Sequence, residues 1–73
     1  MPKAVYLIVY ALQNWWIDID GRSVGPFFDK ETAMLDAIEM ARKFGDPGVQ
    51  IELWAPDEGG RNRVMWKGYR AAR

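Results

Sequence analysis

The sequence predicts an α+β domain in which a single antiparallel sheet of four to five strands carries one helix on one face. Three patterns lead to this class. Residues 4–12 form an unbroken apolar run, which is typical of a strand covered on both sides. Other segments alternate apolar and polar residues with the period of a half-buried strand. Residues 30–44 repeat apolar residues at helical spacing, so the expected order is β-β-(β)-α-β-β.

The first half of the chain is expected to form two strands and a short third one. The first two strands span about residues 3–11 and 15–20. Asp20-Gly21 follows them and is a strong hairpin signal, because both residue types tolerate the positive φ of a primed turn. A return strand over residues 22–24 is expected at a sheet edge, because a proline follows two residues later.

The helix is expected over residues 30–44. Asp29 is its predicted N-cap, and Phe28 is expected to pack on the first turn as a hydrophobic staple. Gly45 is predicted to end the helix in a left-handed conformation. The apolar stripe that faces the sheet comprises Ala33, Met34, Ala37, Ile38, Met40, Ala41 and Phe44.

Two more strands are predicted after the helix, at residues 49–54 and 63–67, with a loop over 55–62 between them. Residues 1–68 are therefore expected to form a single domain. Residues 69–73 are expected to form a flexible C-terminal tail.

The predicted sheet has more apolar side chains than one helix can cover. We expect the following residues against the helix: Val5, Leu7, Val9, Ile17, Ile19, Val49, Ile51, Leu53, Val64 and Trp66. The other face is then expected to expose Tyr6, Ile8, Tyr10, Trp16, Trp54 and Met65. A chain of 73 residues has a marginal core, and an exposed patch of this size favours association with a second copy.

Composition narrows the classes of function. The chain contains no cysteine and no histidine, so neither a disulfide framework nor a metal or other cofactor is expected, and a cytoplasmic location is the default. The apolar run at residues 4–12 is too short to span a membrane. The net charge is zero, although residues 59–73 carry five bases and no acid, whereas residues 1–58 carry all ten acids. Overall neutrality makes nucleic-acid binding unlikely.

The usual groups for catalysis are missing, so we predict that the chain is not an enzyme. Ser23 is the only serine, and the sequence offers it no evident base. Asp18 and Asp20 lie two residues apart on a strand, about 6–7 Å from each other. The favoured interpretation is that these two acids balance Arg63 and Lys67 across the sheet.

Two hypotheses of function from different classes remain. The first is a homodimer, or a domain that binds an unidentified protein, formed through the open sheet face or a sheet edge; its surface would be Tyr6, Ile8, Tyr10, Trp16, Trp54 and Met65. The second is a module for single-stranded nucleic acid in which the aromatic rings stack on bases and Arg61, Arg63 and Lys67 contact phosphates. Asp18, Asp20 and Glu52 on the same face would oppose the second hypothesis. A small ligand, or no partner at all, is a further alternative.

Residues 15–68 resemble a small bacterial domain family of unknown function. The features that carry the resemblance are Trp16, Gly21, Phe27, Asp29-Lys30, Ala33, Ala37, Ala41, Gly45, Val49-Gln50-Ile51 and Gly60-Arg61. The chain departs from that pattern in its loop at residues 54–57 and in its longer apolar first strand. The resemblance implies the fold of a sheet with one helix, and it implies no activity.

Overall fold

The computed structural model describes residues 3–71 and contains one helix and five strands. The elements in chain order are β1 (Lys3–Ala11), β2 (Asn14–Ile19), β3 (Arg22–Phe27), α1 (Lys30–Phe44), β4 (Gln50–Pro56) and β5 (Asn62–Gly68). The α+β class and the order of elements agree with the sequence-based prediction.

The sheet is mixed, so the prediction of a purely antiparallel sheet is wrong. The strand order is β3-β2-β1-β4-β5, and the two central strands, β1 and β4, run parallel. The helix is the reason. Its 15 residues return the chain by about 22 Å to the end of the sheet where β3 began, so β4 must run in the direction of β3 and therefore of β1.

Both N-terminal hairpins close through two-residue turns with positive φ. Asp20 (φ 51°) and Gly21 (φ 77°) form the second turn, as their sequence predicts. The first turn uses Leu12 (φ 54°) and Gln13 (φ 64°), which are poorly suited to this conformation because their Cβ atoms crowd the backbone. These turns fix the register of β1 on β2 and of β2 on β3. The third strand continues past the predicted residue 24 to Phe27 and includes Pro26, which an edge strand tolerates.

The helix begins as predicted and ends differently. The backbone amide of Thr32 donates to the Asp29 carboxylate at 2.8 Å, which confirms the N-cap. Hydrogen bonding from the Thr32 side chain, followed by that from its backbone amide, lowers the pKa of Asp29. Gly45 ends the helix with φ −64° and ψ 157°, so the prediction of a left-handed residue is wrong. Glycine is required here for space: a Cβ would lie 2.5 Å from the Ile51 Cδ1 atom and 2.6 Å from the Ala41 carbonyl oxygen.

The core lies between α1 and one face of the sheet. Its fully buried residues are Tyr6, Ile8, Ile17, Ala33, Ala37, Ala41, Ile51, Leu53 and Ala55. The three helical alanines are spaced four residues apart and lie on the line of contact. Since an alanine side chain ends at Cβ, the helix approaches the strands closely, and it contacts all five of them.

The β1 side chains face the opposite sides of the sheet from those predicted: the residues expected on the open side face the helix, and those expected against the helix face away from it. Tyr6 (7% exposed) and Ile8 (1% exposed) face the helix, whereas Val5 is 45% exposed on the other side. The register explains the error, because Tyr6 pairs with Ile19 and Ile8 pairs with Ile17, and paired residues share a face. The β1 run is apolar at every position, so its own sequence carries no sign of which residues face the core.

Four other predicted core contacts also differ. Phe28 is exposed, and Phe27 packs on the core in its place because it pairs with Trp15 on the helix side. Phe44 is exposed at the last position of the helix. Val64 pairs with Trp54 on the opposite face of the sheet, because a register shift after Leu53 displaces the strand. Val49 precedes β4 and lies outside the core cluster.

The chain after β5 turns back toward the helix. The backbone amide of Ala71 donates to the Arg42 carbonyl oxygen at 2.8 Å, next to the end of α1. Residues 72 and 73 of the predicted tail, and residues 1 and 2 of the predicted domain, lie outside the described residues.

Replacing Gln13 with glycine is expected to stabilise the fold by about 1 kcal/mol, because glycine removes the Cβ crowding at a positive φ. Gln50→Gly in strand β4 is the matched control, and it should destabilise the fold by roughly 0.5–1 kcal/mol. Urea denaturation of both variants measures the difference. A loss of stability in Gln13→Gly would contradict the described turn.

Replacing Gly45 with alanine is expected to destabilise the fold by about 2 kcal/mol, because the new methyl group overlaps a backbone carbonyl that cannot rotate away. Gly59→Ala is the control, since its Cβ would meet only the Asp57 carboxylate at 3.4 Å. The control should change stability by less than about 0.5 kcal/mol. Thermal unfolding of the two variants checks the ranking, and equal effects would count against the tight contact at Gly45.

Candidate interaction surface

The face of the sheet opposite to α1, here called the open face, is covered by no other element of residues 3–71. It carries the residues that alternate with the core side chains. They are Lys3, Val5, Leu7, Val9 and Ala11 of β1, Trp16 and Asp18 of β2, Ser23 of β3, Glu52 and Trp54 of β4, and Val64, Met65 and Lys67 of β5.

The centre of the open face is apolar. Strand β1 contributes Val5, Leu7 and Val9, and a tryptophan flanks it on each side. Trp16 of β2 lies directly beside Val9, and Trp54 of β4 lies directly beside Leu7. Val64 and Met65 extend the patch to the edge and are more than one third exposed. The patch therefore crosses four strands.

Both tryptophans on this face are held in place by their indole N–H groups. The Trp16 Nε1 donates to the Ala11 carbonyl oxygen at 2.8 Å, and the Trp54 Nε1 donates to the Glu52 carboxylate at 3.0 Å. Because both polar atoms are bonded within the chain, each ring presents an apolar surface in a fixed orientation. A fixed aromatic ring loses little conformational entropy when it is covered.

One carboxylate is buried in the open face. The Glu52 side chain is only 9% exposed, and the Lys3 ammonium lies 3.5 Å from it. The hydrogen bond from the Trp54 indole is the main cause that lowers the pKa of Glu52; Lys3 and Lys67 lower it further, and burial opposes them. Glu52 therefore stays charged at neutral pH.

Asp18 and Lys67 lie on opposite flanks of the open face. Strands β1 and β4 separate β2 from β5, so about 14 Å lies between the two backbones at the usual strand spacing. Neither side chain forms an ion pair in the described part of the chain. The prediction that Asp18 and Asp20 balance Arg63 and Lys67 across the sheet is therefore wrong.

A shallow groove lies on the β2 side of this face. Its volume is about 240 Å³, and it is lined by Val9, Ala11, Leu12, Trp16, Asp18 and Ser23. Its lining is mostly apolar, and Asp18 and Ser23, which pair with each other across β2 and β3, supply its polar side chains. Such a groove can hold a side chain of mixed character, with an apolar stem and a polar or cationic end.

The structure distributes the predicted surface residues over both faces. Trp16, Trp54 and Met65 lie on the open face. Tyr6 and Ile8 belong to the core, as described above. Tyr10 lies on the helix side, where its ring is 5.0 Å from that of Trp15.

The predicted anion contacts are also divided. Lys67 is exposed on the open face. The Arg63 side chain binds the Asp57 carboxylate, and the backbone amide of Arg61 donates to the same carboxylate at 3.0 Å. These two hydrogen bonds lower the pKa of Asp57 and order the β4–β5 turn. Arg63 is thus already used within the chain.

Sequence reasoning missed Val5, Leu7, Val9 and Lys3 as residues of the open face. The alternation of β2 could have identified them, because its apolar residues Ile17 and Ile19 mark the side that faces the core. The two-residue hairpin turn pairs these residues with Ile8 and Tyr6 of β1, so the remaining β1 residues lie on the open face.

Residues 3–71 contain no group of three or more carboxylates placed to hold a metal ion. No helix in this part of the chain is long and apolar enough to cross a membrane. No family model matches the chain, and neither a curated protein nor a solved structure matches it. The resemblance to a small bacterial family of unknown function therefore stays a prediction.

The stabilising effect of the Glu52 charge is expected to depend on pH. Its pKa is lower in the folded state, so the effect is fully present above about pH 5 and is lost as pH falls through the folded pKa. Glu52→Gln should therefore lower the melting temperature relative to the unchanged chain at pH 7, and much less at pH 3.

Glu58→Gln is the control for this measurement. Glu58 is exposed in the β4–β5 turn and forms no ion pair within residues 3–71, so its replacement should change the melting temperature little at either pH. The described contacts of Glu52 would be contradicted if Glu52→Gln lowered the melting temperature by the same amount at pH 7 and at pH 3.

Proposed function

We propose that this chain is a small non-enzymatic interaction domain, located in the cytoplasm, that forms a homodimer through its open face. The observation that carries the proposal is the continuous apolar patch that crosses four strands and includes both fixed tryptophans. An apolar patch on a sheet face without a covering layer favours association, because the folded chain alone leaves it in water.

The two sheet edges are less suited to association than the face. Pro26 lies in the edge strand β3 and lacks an amide proton, which interrupts pairing with another strand. The other edge strand, β5, pairs irregularly with β4, with a register shift after Leu53. It also contains the bases Arg63 and Lys67. Irregular pairing and charged side chains are the features by which edge strands avoid pairing with other chains.

A second copy is the occupant that best fits the face. The five strands cover about 24 Å by 20 Å at the usual spacings, so two copies would bury on the order of 1,000 Å² in total. This area lies at the lower limit for a specific interface. The expected dissociation constant is therefore micromolar rather than nanomolar, and the mixed charges of the face suit a neutral partner such as the chain itself.

Single-stranded nucleic acid is the less favoured alternative. Of the four rings expected to stack on bases, only Trp16 and Trp54 lie on the open face. Each has a carboxylate two residues away on that face, Asp18 for Trp16 and Glu52 for Trp54, and these charges repel phosphates. Arg63 is bound to Asp57.

Sedimentation from about 1 μM to several hundred μM tests the proposal, and the unchanged chain is expected to shift from monomer to dimer. Val5→Lys should weaken the dimer at least tenfold, because it places a further charge within the apolar patch of the open face. The monomer should tolerate this change, since Val5 pairs with Glu52 and is 45% exposed.

Leu35→Lys is the matched control, because Leu35 is an exposed apolar residue on α1, on the other side of the molecule. It should leave the dimer unchanged. A monomer at all concentrations would contradict the proposed homodimer. Binding of oligonucleotides at low salt that Val5→Lys strengthens would instead support the nucleic-acid alternative.

A further inference from the structure

We infer, on the basis of the proposed self-association, that two copies pack open face to open face about a two-fold axis parallel to the strands, between β1 and β4. In this arrangement β2 of each copy lies over β5 of the other. The unpaired acid Asp18 of one copy then approaches the unpaired base Lys67 of the second copy, and the same contact occurs twice.

The charges on the open face give the first part of the argument. Asp18 lies on one flank, Lys67 lies on the other, and the two central strands keep them apart within a single chain. Both are left without an ion pair in residues 3–71. Two complementary charges that cannot meet within one copy can meet between two copies.

The strand order gives the second part. A two-fold axis parallel to the strands reverses the order of the second sheet, so an axis between β1 and β4 places β1 over β4 and β2 over β5. The position along the strands is unchanged by this rotation. The sheet register aligns Lys67 with Glu52, Val5 and the start of the β2–β3 turn, whereas Asp18 is aligned with Leu7 and Trp54, two residues further along. Lys67 of the second copy therefore lies about 7 Å along the strand from Asp18, an offset that the long lysine side chain can span.

The other simple arrangement is disfavoured by the same charges. A two-fold axis perpendicular to the strands places every strand over its own counterpart. With the axis at the centre of the face, Asp18 of β2 then faces Asp18 of the other copy, and Lys67 lies in the β5–β5 contact without an acid opposite it. Like charges at close range are destabilising, so the axis parallel to the strands is the favoured one.

The apolar contacts agree with this axis. Leu7 of one copy lies over Trp54 of the second copy at the centre of the interface. Val64 and Met65 of the second copy lie over the Asp18 end of the groove, because they share the level of Trp54, Leu7 and Asp18. Glu52 enters the interface with its carboxylate already bound by Trp54 and Lys3, so it leaves no unpaired charge there.

A charge exchange between two variants tests the arrangement. Asp18→Lys and Lys67→Glu should each weaken the homodimer at least tenfold, because each places like charges opposite one another. An equimolar mixture should form a heterodimer within about threefold of the original affinity, because both contacts then join opposite charges. Sedimentation of each variant and of the mixture measures these affinities.

Asp36→Lys and Arg42→Glu on α1 form the control pair, and their mixture should behave like the unchanged chain. Thermal unfolding shows whether each variant folds. If a reversed charge unfolds the chain, Asp18→Asn and Lys67→Gln replace it, and each should weaken the dimer about threefold without recovery on mixing.

Two results would overturn the inference. If the unchanged chain dimerises and neither charge reversal weakens it, the arrangement is wrong while the proposed self-association stands. If the variants are weakened but their mixture is no tighter than either alone, Asp18 and Lys67 do not face each other. A chain that stays monomeric throughout contradicts the proposed function itself, which is a distinguishable outcome.

Discussion

Helix α1 rests on the sheet through Ala33, Ala37 and Ala41, and the rest of the structure depends on this close contact. It fixes which face of the sheet becomes the core, and it leaves Tyr6 and Ile8 inside. The contact also limits the structure, because one helix covers one face. Five strands with apolar residues on both sides therefore leave a second apolar surface without a covering layer.

The same helix decides the topology. By crossing the sheet once between β3 and β4, it makes β4 parallel to β1 and places these two strands at the centre. The central position of two apolar strands concentrates the apolar residues of the open face there. It also separates Asp18 of β2 from Lys67 of β5, so the open face has one acid on one flank and one base on the other.

The polar groups of the open face are arranged to keep its apolar surface rigid. The indole groups of Trp16 and Trp54 are bonded to neighbouring residues, and Glu52 is held by Trp54 and Lys3. A surface whose aromatic rings are fixed by hydrogen bonds within the chain suits contact with another protein surface.

The sequence by itself determined the elements: the helix cap at Asp29, the hairpin at Asp20-Gly21 and the single helix among strands all carry local signals. It also determined that the sheet has too much apolar surface for one helix. Only the tertiary structure decided which residues form the open face, because a strand that is apolar at every position does not indicate which of its side chains face the core. The neighbours of each strand were decided in the same way, since strand order follows from the path of the helix and is not encoded in any one segment.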